Sequence, residues 1–305
     1  MPMIARHGLA PQAILRDASR AARPALCWLG QAGFLLCAGG VRLAIDLYLS
    51  DVLAEKYRAG PFPHRRMIPP PVTAGTLVGL DAVFCTHAHT DHMDPGTLGT
   101  LAGGNPACRF VVPRAVAALA VERGVPPSRM VSATAGQQGQ LGHDLTWHAL
   151  ASAHEELRTN AAGDHLCLGY VLELGGFRVY HSGDCVPYPG LGAKLRRHAI
   201  GVALLPVNGR DASLAAAGIP GNFTFDEALQ LCREAGVGSM IPCHFGMFAF
   251  NTVDESRLDR QIAAATAPPE CVRLRPGVVY EWLSPGRAPA APDSAPSSSP
   301  REPLP

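Results

Sequence analysis

The chain has 305 residues, of which 47% are hydrophobic and 17% charged, and its formal net charge is +1. This length and composition suit one large α/β domain with a sizeable core. The balanced charge, without a run of Lys or Arg, argues against nucleic acid or an anionic membrane as a partner. No apolar run of 18 residues occurs, so we expect no membrane span. A small-molecule substrate is therefore expected, and homo-oligomerisation is left open.

Nine cysteines are present, and no two of them form a Cys-x-x-Cys pair. Cys27, Cys37 and Cys167 lie among apolar neighbours, a pattern typical of reduced, buried thiols. The N-terminus has basic residues but lacks the apolar segment of a secretory signal. These features predict a cytoplasmic protein.

Composition divides the chain into three parts. Residues 1–24 are rich in Ala and Arg, which predicts a partly helical N-terminal extension. Residues 286–305 are rich in Pro, Ala and Ser and cannot bury a core, so we expect a disordered tail. No linker interrupts the stretch between them, and we assign residues 25–285 to one domain.

Short apolar runs bounded by Gly or polar turns predict strands along the first half of this domain. The runs ALCWLG, GFLLCAGG and VRLAID follow one another closely and indicate consecutive antiparallel strands. DAVFCTH and RFVVP predict two further strands. RAVAALAVERG predicts a helix that ends at Gly124.

The second half repeats this alternation. DLTWHAL, CLGYVLEL and FRVYHSGD predict strands, with a hairpin turn at Gly175 and Gly176. VALLPV predicts another strand, and Thr224 with Glu227 forms a capping box before a helix that ends at Gly236. SMIPCH, VDESRLDRQIAAAT and GVVYEWL predict a strand, a helix and a closing strand. The pattern indicates an α/β fold, a four-layer αβ/βα sandwich with two sheets face to face and helices outside.

The segment THAHTDH places three histidines and one aspartate within six positions, directly after an apolar strand. Such crowded imidazoles repel one another when charged and lose solvation when buried and neutral, and a bound cation removes both costs. Further His and Asp residues follow later strands, whose ends meet along one edge of a layered fold. We expect a metal centre formed by His87, His89, Asp91, His92, His154, Asp184 and His244.

The assignment of His154 is the most open, because His143, His148 and His165 lie nearby. We prefer His154 because SAHEE follows a strand directly, whereas His148 lies inside the strand pattern. The imidazole and carboxylate donors suit Zn²⁺ best, and manganese or iron is also compatible with them.

THAHTDH fits the HxHxDH signature of the metallo-β-lactamase superfamily. The stretches WLGQAGFLL, IDLYLSD, HRRMIPPPV, SAHEE, YHSGD and IPCHFGMF resemble the branch that contains the bacterial L-ascorbate-6-phosphate lactonase. This resemblance covers about residues 26–283. It implies two groups of metal ligands and one bridging carboxylate: His87, His89 and His154 for the first ion, Asp91, His92 and His244 for the second, and Asp184 as the bridge. Members of this branch also work with one ion, so we expect one or two ions per chain.

This ligand set predicts a metal-dependent hydrolase that uses a metal-bound hydroxide, because a metal lowers the pKa of bound water from 15.7 to about 7. Asp91 is the expected catalytic residue, orienting the water or accepting its proton. The substrate class is a small lactone, ester, amide or phosphodiester, with lactonase-like activity. The alternatives are a nuclease of the same fold, a mononuclear-iron oxygenase and an inactive binding protein.

Two residues are expected to support the ligands. Asp46 ends a strand and is interpreted as a carboxylate that fixes a ligand or its loop. His181 precedes the SGD turn and either supports a ligand or packs in the core. Gly30 and Gly33 are interpreted as backbone requirements, because GQAG lacks the Lys and the spacing of a phosphate-binding loop.

The proline-rich segment 54–72 is the expected substrate-facing loop. Its residues His64, Arg65 and Arg66 are candidates for binding an anion, against the alternative of surface arginines on a stiff loop. Asn208, in PVNGRD, is a further candidate for lining the cleft.

Overall fold

The structure is a computed structural model that describes residues 3–16 and 24–282. The predicted tail at 286–305 lies outside the described residues. The strands in chain order are β1 (Met3–Arg6), β2 (Ala25–Trp28), β3 (Phe34–Ala38), β4 (Val41–Ile45), β5 (Ala82–Phe84), β6 (Arg109–Pro113), β7 (Met130–Ala133), β8 (Gln138–Leu141), β9 (Leu145–Ala151), β10 (Leu168–Leu174), β11 (Phe177–His181), β12 (Val202–Pro206), β13 (Ser239–Cys243), β14 (Glu270–Cys271) and β15 (Val279–Trp282).

Helices connect or cover these strands. In chain order they are α1 (Ala13–Arg16), α2 (Val52–Lys56), α3 (Pro95–Gly104), α4 (Ala117–Glu122), α5 (Leu191–Arg196), α6 (Ala212–Ala216), α7 (Phe225–Ala235) and α8 (Glu255–Ala264).

The strands form two mixed sheets with the same plan. The first has the order β1-β15-β2-β3-β4-β5-β6-β7, and the second β14-β13-β12-β11-β10-β9-β8. In the first sheet the pairs from β1 to β4 are antiparallel and those from β4 to β7 parallel. In the second, β8 to β11 pair antiparallel and β11 to β14 parallel. The prediction of consecutive antiparallel strands over β2, β3 and β4 is confirmed.

Both faces of the central strands are buried. In β3, Phe34 and Leu36 pack into the core between the two sheets, while Leu35 and Cys37 belong to a second core cluster that includes buried residues of the helices α1, α3 and α4. This follows from the alternation of side chains along a strand. On the far side, α7 contacts β12 and β13 and packs beside α5. The predicted four-layer αβ/βα sandwich is confirmed.

Local signals define several boundaries. The Thr224 hydroxyl accepts the amide hydrogen of Glu227, whose carboxylate accepts the amide hydrogen of Thr224, so the capping box before α7 is confirmed. Gly236 ends α7 with φ of 71°. The hairpin between β10 and β11 turns at Gly175 and Gly176, both with positive φ, as their sequence predicts.

The N-terminal segment differs from the predicted extension. β1 pairs antiparallel with β15 at the edge of the first sheet, and Ile14 and Leu15 of α1 are buried in the core. The described residues before 17 therefore belong to the domain, and residue 24 is not a structural boundary. The sequence did not reveal this, because β1 finds its partner about 275 positions away.

Two further expectations concern the cysteines and the absence of a membrane span. All nine cysteines lie in the described part of the chain and are free thiols. Among the helices of residues 3–16 and 24–282, none combines the length and apolar character needed to cross a bilayer.

The topology brings distant candidates to one edge of the sandwich. The loop with His87 follows β5, and Asp184 and His244 follow β11 and β13, which run in parallel directions within the second sheet. His154 follows β9, which runs parallel to β11 because both are antiparallel to β10. Four strand ends therefore face a common region.

Candidate metal centre

The loop that carries the HxHxDH motif is held at its far end by a helix cap. Asp94 caps α3 by accepting the amide hydrogen of Gly96, and Pro95 occupies the first turn. The other carboxylate oxygen of Asp94 accepts the amide hydrogens of Leu49 and Ser50. These bonds stabilise the loop at the end of β5 and fix the direction of its side chains.

Seven of the predicted side chains meet in two adjacent groups. Within each group the candidate ligand atoms lie within 4.8 Å of one another. We call these the first ligand group and the second ligand group. The first comprises His87, His89, His154 and Asp184, and the second comprises Asp91, His92 and His244.

Asp184 lies between the two groups. One of its oxygens, Oδ2, is 3.4 Å from Nε2 of His154. The other, Oδ1, is 3.3 Å from Nε2 of His92 and 3.2 Å from Nε2 of His244. The carboxylate thus offers a separate oxygen to each group.

Asp46 connects the two ends of the metal motif through hydrogen bonds. One carboxylate oxygen accepts the backbone amide hydrogen of Thr86 at 2.8 Å. The other accepts the hydroxyl of Thr86 at 2.6 Å and Nδ1–H of His92 at 2.8 Å. His92 is thereby kept in the tautomer whose Nε2 lone pair faces the second ligand group.

The same network orients His87. Its Nδ1 lies 3.0 Å from the hydroxyl oxygen of Thr86, whose only hydrogen goes to Asp46. The hydroxyl oxygen therefore accepts, His87 donates from Nδ1, and its Nε2 is left with a lone pair.

The donors have the orphaned atoms that a cation would satisfy. Among the described residues, Nε2 of His87 is buried without a hydrogen-bond partner. Nε2 of His92 and Oδ1 of Asp184 are also buried, and they make ion-pair contacts with each other, Nε2 also with Asp91 and Oδ1 also with His244. Buried polar atoms are normally paired, and leaving one unpaired costs about 1–3 kcal/mol. The nitrogen and oxygen donors of both groups are those of borderline divalent ions. The residues therefore fit a metal centre.

The protonation pattern agrees with this fit for most donors. Burial lowers the pKa of His87 and that of His154, the latter to about 4, so both imidazoles are neutral ligands at pH 7. Burial alone would raise the pKa of Asp184, but the neighbouring imidazoles outweigh it and hold that pKa well below its usual range.

His244 behaves differently from those two histidines. Burial would lower its pKa, yet the carboxylates of Asp184 and Asp91 outweigh burial and raise it to about 9. The pKa of His92 is raised for the same reason. Without a cation, these two imidazoles retain protons that a metal ion must displace.

Within the described part of the chain, the hydrogen bonds of His181 go to backbone groups and not to the ligand atoms. Its Nδ1 accepts the amide hydrogen of Gly183 at 2.9 Å, so Nε2 donates to the carbonyl of Ala32 at 2.8 Å. Gly183 has φ of 60°, and a Cβ there would lie 2.6 Å from Thr86. His181 thus shapes the tight turn that presents Asp184.

The alternatives to His154 lie elsewhere. His148 is within β9, with its ring tilted against that of His198. His143 lies exposed in the β8–β9 turn, and His165 lies near Thr159. Of the four nearby histidines, the structure brings only His154 to the other donors.

Sequence reasoning missed Gln31, which it treated as part of a glycine turn. The Gln31 carboxamide nitrogen lies 2.7 Å from Oδ2 of Asp91 and 3.1 Å from Nε2 of His244. The residue is buried, with 1% of its surface exposed. The available signal was a single amide residue within the otherwise apolar run WLGQAGFLL.

A cavity of about 560 Å³ opens over both ligand groups. Residues of the predicted substrate-facing segment form one wall, among them Lys56, Tyr57, Phe62 and His64. Ile219 and Phe248 contribute to the other side. The metal-site cavity is therefore polar at its base and largely aromatic or aliphatic around it.

The structure corrects the candidate substrate-binding arginines. Arg66 stacks 4.8 Å over the ring of Tyr48 and donates to the backbone carbonyls of Tyr48, Ser50 and Ile68. Its guanidinium is committed to holding the loop and does not line the metal-site cavity. Arg65 is exposed and does not line the cavity either.

Asn208 also lies outside the metal-site cavity. Its amide donates to Asn251 at 2.7 Å and its carbonyl accepts from Asn222 at 3.0 Å. Asn251 lines the cavity, whereas Asn208 lines a neighbouring depression. Asn208 therefore supports a cavity residue instead of facing the cleft.

Known proteins resemble this chain in sequence and in fold. A family model described as a beta-lactamase superfamily domain matches residues 46–245. A protein of Myxococcus xanthus named UPF0173 metal-dependent hydrolase is 30% identical over 231 residues, covering 72% of this chain and 70% of the relative.

Two solved structures have the same fold at low identity. The isothiocyanate hydrolase from Delia radicum gut bacteria aligns with a TM-score of 0.67 and 18% identity, covering 84% of this chain and 97% of that one. A metallo hydrolase of Ignicoccus hospitalis aligns with a TM-score of 0.61 and 19% identity, covering 86% and 99%. The family model and the Myxococcus relative, taken with the His/Asp cluster, show that the chain belongs to the metallo-β-lactamase superfamily and is one of its metal-dependent hydrolases.

Proposed function

We propose that the protein hydrolyses a small, largely apolar lactone, ester, amide or phosphodiester, with lactonase-like activity as the first expectation. The observation that carries this proposal is the position of the two ligand groups at the base of one cavity. A volume of about 560 Å³ suits a small molecule.

In this proposal each ligand group would hold one divalent ion, and Asp184 would contribute an oxygen to both. Its two oxygens face different groups, which supports that role. Zn²⁺ suits the donors best, and Mn²⁺ or iron is also compatible with them. A bound divalent ion would supply a coordinated water of lowered pKa, and so a nucleophile at neutral pH.

Asp91 is the proposed catalytic carboxylate. Its pKa is held far below the usual range, because the imidazoles of His92 and His244 outweigh its burial. It is therefore an anion at pH 7, and its side chain is 16% exposed and lines the cavity. From there the carboxylate can orient a water molecule and accept its proton.

His64 is proposed to bind the substrate as a neutral hydrogen-bond acceptor. Its Nδ1 donates to the carbonyl of Phe62 at 2.7 Å, which leaves the Nε2 lone pair available. The ring lies between Tyr57 and Phe248, and burial lowers its pKa. A neutral imidazole among aromatic rings favours a substrate with an apolar body and a polar donor group.

If the substrate carries an anionic group, Lys56 is the better candidate to meet it than Arg65 or Arg66. Lys56 lines the metal-site cavity, and its ammonium lies 4.9 Å from the ring centroid of Tyr57. An exposed ammonium there would bind a carboxylate or phosphate weakly and in a salt-dependent way.

The test is a hydrolysis screen with protein reloaded separately with Zn²⁺, Mn²⁺ and Fe²⁺. The panel contains aromatic lactones, aryl esters, N-acyl amides, phosphodiesters and an isothiocyanate, and Asp91→Asn at equal metal content is the control. Turnover of at least one class, lost in the control, supports the proposal. Metal-loaded protein that cleaves only nucleic acid, or that consumes oxygen instead, would support the nuclease or the oxygenase. No turnover and no oxygen uptake would favour a binding protein.

A further inference from the structure

Gln31 occupies a costly position beside the second ligand group. Its backbone has φ of 50°, in the left-handed region that glycine normally fills. Its carbonyl accepts the indole hydrogen of Trp28 and the amide hydrogen of His244, both at 2.9 Å. These two bonds fix the residue against the loop that carries His244.

The side chain is not satisfied by these contacts. The carboxamide oxygen Oε1 is buried and, among the described residues, has no hydrogen-bond partner. The carboxamide nitrogen lies 2.7 Å from Oδ2 of Asp91 and 3.1 Å from Nε2 of His244. Both contacted atoms belong to the second ligand group, and the amide hydrogen donated to Asp91 occupies a carboxylate oxygen that a cation would use.

The two ends of a carboxamide have nearly the same shape, so a half-turn of the group exchanges oxygen and nitrogen. The exchange would put the oxygen 2.7 Å and 3.1 Å from the donor atoms of Asp91 and His244. Atoms bound to one ion at 2.0–2.2 Å lie about 3 Å apart, which is close to these separations. A carboxylate repels an amide oxygen at this distance unless a cation lies between them. The preferred orientation therefore depends on the cation.

We propose that the amide oxygen of Gln31 is an additional ligand of the ion held by Asp91, His92 and His244. The carboxamide group rotates by half a turn when this ion binds. This inference rests on the proposed assignment of the second ligand group to an ion. A neutral oxygen ligand joins the carboxylates there, which favours an oxygen-preferring ion such as Mn²⁺ at this position more than at the histidine-rich first group.

The test uses metal-free protein reloaded with Mn²⁺, with ions counted by elemental analysis and affinities measured by calorimetry. The variants are Gln31→Ala and Gln31→Glu, and the matched control is Gln140→Glu, an exposed glutamine on β8. Gln31→Ala should lower the affinity for the second ion about 10- to 100-fold and leave the affinity for the first ion unchanged. Gln31→Glu should bind the second ion at least as tightly as the wild type, because a carboxylate oxygen replaces the amide oxygen.

Gln31→Glu distinguishes a ligand from a hydrogen-bond donor. If Gln31 only donates a hydrogen bond to Asp91, Gln31→Glu brings two carboxylates together. The affinity for the second ion then falls as much as in Gln31→Ala, and this result overturns the proposal. Equal affinities in all variants also overturn it. If the variants do not fold, a crystal structure of the Mn²⁺-loaded wild type decides: Oε1 bound to the ion supports the proposal, and an amide nitrogen still against Asp91 refutes it.

The outcomes separate this inference from the proposed function. If the wild type binds a single ion, both the second metal position and the role of Gln31 are refuted. If the wild type binds two ions and the Gln31 variants bind the second ion with unchanged affinity, only the role of Gln31 is refuted. Two bound ions with no turnover in the substrate screen refute the proposed function but leave the ligand role of Gln31 supported by its own measurements.

Discussion

Nδ1 of His92 lies 2.8 Å from Oδ2 of Asp46, and both side chains are completely buried. The same carboxylate also binds the amide and the hydroxyl of Thr86, the residue directly before the metal motif. One buried carboxyl group thus orients the motif at both ends. Its three hydrogen bonds come from groups that are separated from it by at least 40 positions in the chain.

Asp46→Asn should weaken metal binding about 10- to 100-fold, because an amide cannot accept all three hydrogen bonds and the tautomer of His92 is no longer fixed. Calorimetric titration of metal-free protein with Zn²⁺ measures this loss. Asp144→Asn, at an exposed turn position, serves as the control. Wild-type affinity in Asp46→Asn would show that the ligands are oriented without this carboxylate.

Asp91→Asn should reduce kcat by about two to four orders of magnitude on any substrate that the screen identifies. The amide keeps the shape of the side chain but cannot accept a proton from water. The rate is compared at equal metal content, determined by elemental analysis of each sample. Comparable turnover of the two proteins would assign the proton transfer to another group.

Metal affinity should rise with pH up to about 9. The pKa of His244 is raised from its ordinary value near 6.5 to about 9, since Asp184 and Asp91 outweigh burial. Below pH 9 the metal-free imidazole carries a proton that a cation must displace, so each displaced proton changes the apparent Kd by about tenfold per pH unit. Titrations with Mn²⁺ in buffers of different ionisation enthalpy count the protons released. If the metal affinity stays the same between pH 6.5 and 8.5, His244 is not protonated in the metal-free protein.

Arg66→Ala should lower the free energy of unfolding by about 1–3 kcal/mol, because it removes charged hydrogen bonds to three backbone carbonyls. Arg65→Ala, at the exposed neighbouring position, should change it by less than about 0.5 kcal/mol. Urea denaturation of both variants tests the difference. Equal stabilities, combined with a selective loss of activity on an anionic substrate, would restore the substrate-binding role of Arg66.

The sequence by itself determined the features that depend on neighbouring residues. The capping box at Thr224 and Glu227 and the turn at Gly175 and Gly176 are decided within a few positions, and the structure contains both. The apolar runs predicted most of the central strands for the same reason. The HxHxDH spacing indicated metal chemistry, because few other arrangements tolerate so many imidazoles in one short loop.

Only the tertiary structure decided which side chains share a space. It brought Gln31 beside Asp91 across 60 positions, and it turned Arg66 towards backbone carbonyls while His64 of the same loop reached the cavity. It also paired Met3 with Trp282 at the edge of the first sheet. These contacts result from packing of distant segments, whose energies depend on burial and on unpaired polar atoms and not on the local periodicity that a sequence displays.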